Sequence, residues 1–164
     1  FDTSPRRGNP PIPVEKFERA RLYYLRNPRT PKHTLSGRQL AQELWNRSSY
    51  LPNSGLYAVR RDFLDKMALR FREEGLMTDN DFTFKLMLHA RRARYLRRFT
   101  PHRKTLRADS ISFSSSPDAI SSGLSRAVKA MEIELEQAGL NDRPPIWTIG
   151  LQGKLLSRMR ELSG

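Results

Sequence analysis

SPDAISSGLSRAVKAMEIELEQAG, residues 116–139, carries a complete set of helix signals. Ser116 offers an N-cap hydroxyl, Pro117 suits the first helical position, and Asp118 sets negative charge against the positive end of the helix dipole. Ile120, Leu124, Val128, Met131 and Leu135 then recur at three- and four-residue steps, so they share one face. Gly139 suits the left-handed residue that closes a helix. The pattern predicts a helix over about 117–138 whose apolar stripe needs a cover. Glu132, Glu134 and Glu136, read as its outer face, would repel phosphate. The stripe Ile120, Leu124, Val128, Met131 and Leu135 is therefore expected to dock on protein, either a neighbour or the chain's own core.

Similar signals recur on the N-terminal side. Ser36 followed by Gln39 forms a capping box, and Leu35 with Leu40 forms a hydrophobic staple. Leu40, Ala41, Leu44 and Trp45 continue one face to about Arg47, before a loop containing Pro52, Asn53 and Gly55. Val59, Phe63, Met67 and Phe71 repeat every four residues, joined by Leu56 and Leu64, which predicts a helix over 56–74 with Gly75 as its C-cap. Thr78 then reads as the cap of a further helix, with Asp79 and Asp81 in its first turn, lasting to about Phe99 before Pro101. The short turn between these two predicts an αα-hairpin over about 56–99.

The ends fit the same scheme. Val14, Phe17, Leu22 and Leu25 suggest a helix from Pro13 to Arg26, and Leu151, Leu155, Leu156, Met159 and Leu162 suggest one over about 150–162. Residues 1–12, rich in proline and carrying Arg6 and Arg7, read as an extended basic arm. Residues 100–116 lose periodicity and read as a basic and Ser-rich linker. The expected fold is all-α: short capped helices around a central αα-hairpin within residues 13–99, then the linker, then a C-terminal helical segment over 117–164.

Charge narrows the function classes. The 164 residues hold 30 Lys and Arg against 17 Asp and Glu, a net charge of +13, which self-repels and favours an anionic partner. Of the 30 cations, 24 lie in residues 1–107. No acid occurs between Asp81 and Asp109, where Lys85, Arg91, Arg92, Arg94, Arg97, Arg98, Arg103, Lys104 and Arg107 cluster. Arg91, Arg94 and Arg98 stand at helical spacings of three and four, and uncompensated like charge there destabilises a helix. A polyanion would relieve that repulsion, and Arg, with its planar fork, suits phosphate. The expected partner is RNA, held by this run and by Arg6 and Arg7. Tyr95 and Phe99, four residues apart, read as packing residues first and as base-stacking platforms second.

Signals for chemistry are missing. There is no Cys, which excludes disulfides, thiol catalysis and Cys-based zinc sites. His33, His89 and His102 have no metal-ligand spacing, and no phosphate-binding glycine loop occurs. Asp79-Asn80-Asp81 starts like a calcium loop, but Phe84 and Ala90 occupy its glycine and glutamate positions. No apolar run approaches the ~20 residues that span a bilayer. The expectation is a structural protein without enzymatic activity, metal or cofactor.

Two resemblances bear on this. Ser36, Leu40-Ala41-Gln42-Glu43-Leu44, Arg60-Arg61 and Glu74-Gly75-Leu76-Met77 together resemble a winged helix-turn-helix domain over 35–78, which implies DNA binding. In kind, the basic proline-rich arm, capped helices and high Arg content resemble accessory proteins of mitochondrial ribosomes. That resemblance implies a ribonucleoprotein subunit in the mitochondrial matrix, contacting rRNA through 85–107 and neighbouring proteins through its C-terminal helices. The chain begins at Phe1, as a mature organellar protein does after loss of its transit peptide. A basic accessory subunit of a mitochondrial respiratory complex shares these features.

Overall fold

The apolar stripe of 120–135 is covered by the chain itself. In the computed structural model, which describes residues 33–95 and 115–163, the chain is all-α. Its helices are α1 (Gly37–Asn46), α2 (Arg61–Lys66), α3 (Thr78–His89), α4 (Pro117–Gln137) and α5 (Ile146–Ser163), with one 3₁₀ turn at Ser54–Leu56. Among the described residues no strand forms, only an isolated antiparallel bridge between Leu35 and Ala93. The arm 1–12, the helix expected over 13–26 and the linker up to residue 114 lie outside the described residues.

The two helices best marked in the sequence form as expected. Ser36 Oγ accepts from Gln39 N at 3.2 Å while Gln39 Oε1 accepts from Ser36 N at 3.0 Å, closing the capping box of α1. Ser116 Oγ accepts from Ala119 N at 3.2 Å at the start of α4. The N-terminus of α5 is served from another helix: Gln42 Oε1 on α1 accepts from Trp147 N at 3.1 Å.

These contacts draw α1, α3, α4 and α5 around one core. Phe84 of α3, Met131 of α4 and Trp147 of α5 are fully buried at its centre, and Leu40, Ala41 and Leu44 close it from α1. The Trp147 ring lies 5.2 Å from Phe84 and 5.6 Å from Tyr50, tilted against both. Helix α3 is buried around most of its circumference, including Asn80, Asp81 and Thr83, so it is the central element. Gly37 permits its close approach to α1, because a Cβ there would stand 2.4 Å from Met87 O.

The helix expected over 56–74 does not form, and with it goes the central αα-hairpin. Only Arg61–Lys66 is helical. Ala68 adopts a left-handed φ of 49°, Ala68 N donates to Asp65 O, and Leu69 N donates to Leu64 O. This is a Schellman ending with alanine in the position that glycine usually fills. Leu69 thereby turns inward onto Leu64, Phe63, Phe82 and Leu86, a small second core beside α3. The most extensively packed helical pair is instead α4 and α5, connected by residues 138–145. A left-handed alanine is strained by about 1 kcal/mol. Ala68→Gly is expected to raise the melting temperature by a few degrees without altering helix content, measured by circular dichroism. An unchanged or lower melting temperature would contradict the Schellman geometry.

Candidate nucleic-acid interface

The basic run leaves the helix earlier than its spacing suggests. Helix α3 ends at His89, and Ala90 is already extended, so Arg91 and Arg94 do not share a helical face. The backbone hydrogen bonds there go to the segment before α1. Gly37 N donates to Ala90 O at 2.7 Å, Leu35 N to Ala93 O at 2.9 Å, and Ala93 N to Leu35 O at 2.7 Å. This pairing sets a two-residue alternation over 92–95. Ala93 and Tyr95 pack against the main core, while Arg92 and Arg94, with Arg91 before them, are exposed. Tyr95 is thus a packing residue.

None of Arg91, Arg92 and Arg94 takes part in an ion pair among the described residues. Arg38, a cation the sequence reading passed over, joins them at the same junction. Its Nε donates to Leu88 O at 3.0 Å, satisfying a carbonyl at the C-terminal end of α3 and placing positive charge where the helix dipole is negative. Its capping-box neighbours drew attention to the helix start, and nothing local marked Arg38 as a partner of α3. Arg97, Arg98, Arg103, Lys104, Arg107, Arg6 and Arg7 lie outside the described residues.

Lys85 belongs elsewhere. Its Nζ lies 3.8 Å from Glu134 Oε2, on the inner side where α3 meets α4. His89 Nε2 approaches Glu134 Oε1 at 2.5 Å. Glu134 is therefore an inward-facing bridge between α3 and α4, with a side chain 13% exposed, and not part of an outer acidic face. Glu132 and Glu136 are exposed as expected. Of the two covers expected for the apolar stripe, the chain's own core is the one found: Leu124, Val128, Met131 and Leu135 are buried in it, with Ile120 packed at its edge, so these five residues are not available to a neighbour.

The arginines that would read DNA in a helix-turn-helix are engaged. Arg60 pairs with Asp62 at 2.5 Å and Arg61 with Asp65 at 3.0 Å, and Arg70 also reaches Asp65 at 2.8 Å. The Arg60 hydrogen bond holds the Asp62 carboxyl below the ordinary carboxylate range, and that of Arg70 does the same for Asp65. Helix α2, which begins at Arg61, has six residues, too short for a recognition helix, and no wing strand follows among the described residues.

One buried ion pair sits behind this region. Asp81 is fully buried, and Arg72 Nε donates to its Oδ1 at 3.0 Å. Asp81 Oδ2 and Arg72 Nη1 have no hydrogen-bond partner among the described residues. Burial pushes the Asp81 carboxyl above its ordinary range, and the Arg72 guanidinium opposes that shift in part. Beside them Phe71 stacks on Phe82 with ring centroids 3.8 Å apart. The pair fastens the irregular segment after α2 to the central helix.

Among the described residues no three acids or histidines gather as metal ligands, and no helix is long and apolar enough to cross a membrane. Comparison with known protein families, with curated proteins and with solved structures finds no match.

Proposed function

We propose that this chain is a structural RNA-binding subunit of a large ribonucleoprotein, without catalytic role, and that a mitochondrial ribosome in the matrix is its setting. The observation that carries this reading is the segment 90–95. Three exposed arginines stand on backbone fixed by main-chain hydrogen bonds, with no acid paired to them among the described residues. A fixed backbone lowers the ordering entropy lost when the side chains engage phosphate. The same charge sign continues in Arg97, Arg98, Arg103, Lys104 and Arg107. Arg38 extends the cluster on the partner segment.

The test is fractionation of the native protein. It is expected to co-sediment with ribosomal particles and to leave them on high salt or RNase treatment, because phosphate contacts are released by counterions and destroyed with the RNA. Partition with detergent-solubilised membrane complexes would instead support a respiratory subunit, and recovery on DNA would support the helix-turn-helix alternative. Either result overturns the proposal.

A further inference from the structure

Helix α5 buries one side and exposes a second apolar line on the other. Trp147, Leu151 and Leu155 face the core. Ile146, Ile149 and Leu156 are 73%, 55% and 40% exposed. With Gly153 between them they follow three- and four-residue steps, so they form one continuous face. A Cβ at Gly153 would meet nothing within 4 Å, so a partner helix can come close there. Scattered exposed apolar residues need no explanation, but a stripe along one helix face marks an interaction surface.

The charges around it select the occupant. No acid lies between Asp142 and Glu161, and exposed arginines bracket the stripe, Arg143 before Ile146 and Arg160 one turn beyond Leu156. A second copy is disfavoured, because antiparallel pairing of two such stripes brings Arg143 of one toward Arg160 of the other, on chains of net charge +13 each. The chain's own residues 13–26 are disfavoured too, since they hold four cations and two acids. We propose that the Ile146–Ile149–Leu156 face of α5 docks an amphipathic helix of a neighbouring protein, one with an apolar stripe flanked by Asp or Glu. This rests on the proposal above that the chain is a subunit of a larger assembly, and it supplies a surface for a protein neighbour there.

The absence of cysteine allows a direct probe. Ile149→Cys in the full chain is labelled with a maleimide, without RNA, alone and with a helical peptide of about 18 residues. The peptide carries Leu at three- and four-residue steps, with Glu at the flanks or, in the control, Lys. Rapid labelling of the chain alone is expected. The Glu peptide at about ten times its Kd should slow labelling about tenfold, and the Lys peptide should not. Slow labelling of the dilute chain alone would mean that its own segments cover the face. Slowing that grows with protein concentration would mean self-association. Rapid labelling with no effect of the Glu peptide would mean that no such helix docks. Each of these three overturns the proposal, and none bears on RNA binding, which Arg91→Gln, Arg92→Gln and Arg94→Gln test separately.

Discussion

Replacing Leu124 and Met131 together by Glu is expected to abolish cooperative unfolding of the isolated chain. Leu124 is 4% exposed and Met131 is fully buried in the main core, where α4 packs against α3 and α5. Each substitution forfeits about 1.5–3 kcal/mol of apolar burial. Each also sets a carboxylate where no cation waits, which adds several kcal/mol unless the group takes up a proton. The combined loss approaches the whole stability of a small domain, about 5–15 kcal/mol. Thermal melting followed by circular dichroism should show loss of the transition with reduced helicity. A normal transition with failed assembly into the native particle would mean that the stripe serves a neighbour, as its sequence also allowed.

Arg72→Met should destabilise the chain by about 3–5 kcal/mol at neutral pH, because it strands a buried carboxylate. The pH dependence distinguishes this from lost packing. Burial raises the Asp81 carboxyl in the fold above its unfolded value, so the folded state favours the protonated form. The unfavourable contribution of ionised Asp81 is present in full above the folded-state pKa. It is relieved as pH falls from there toward the ordinary carboxylate range near 4. Without Arg72 the shift grows and the window widens upward. Denaturant titrations of Arg72→Met should therefore show its deficit shrinking on acidification. The double variant Arg72→Met, Asp81→Asn should recover much of the loss at neutral pH. A deficit that is constant with pH, and no recovery in the double variant, would show that Arg72 acts through its aliphatic stem alone.

The elements readable in the sequence are those whose boundaries are written in side chains. Ser36 with Gln39, and Ser116 with Pro117, name the starts of α1 and α4 by hydrogen-bonding chemistry that operates within a few residues. Gly139, at φ 64°, names the end of α4. Ala68 and Ser48 occupy the corresponding left-handed positions after α2 and α1 without being glycine. The four-residue repeat from Val59 to Phe71 therefore ran on through a stop that its residues do not announce. The early end of α3 was hidden for a different reason. No proline or glycine occurs between His89 and Pro101, and what replaces the helical hydrogen bonds is tertiary: Gly37 N donates to Ala90 O, and Leu35 exchanges a pair of bonds with Ala93, across more than fifty residues of chain. Of the candidate interface, Arg91, Arg92 and Arg94 were found by composition, whereas Arg38 required knowledge of where α3 ends. Lys85 was misplaced because charge alone does not say which face of α3 is covered. For Glu134 a local signal existed, since it stands three residues after Met131 and so borders the buried stripe.

The proposed binding of RNA phosphate by Arg91, Arg92 and Arg94 from a fixed backbone is open to test through the salt dependence of RNA affinity. Binding of the wild-type chain to a structured RNA is measured across a salt series, beside a variant with all three changed to Gln. Each lost phosphate contact should flatten the log–log slope by about 0.7–0.9, so the variant is expected to lose about 2–3 units of slope while keeping the wild-type melting temperature. An unchanged slope in the folded variant would contradict the assignment.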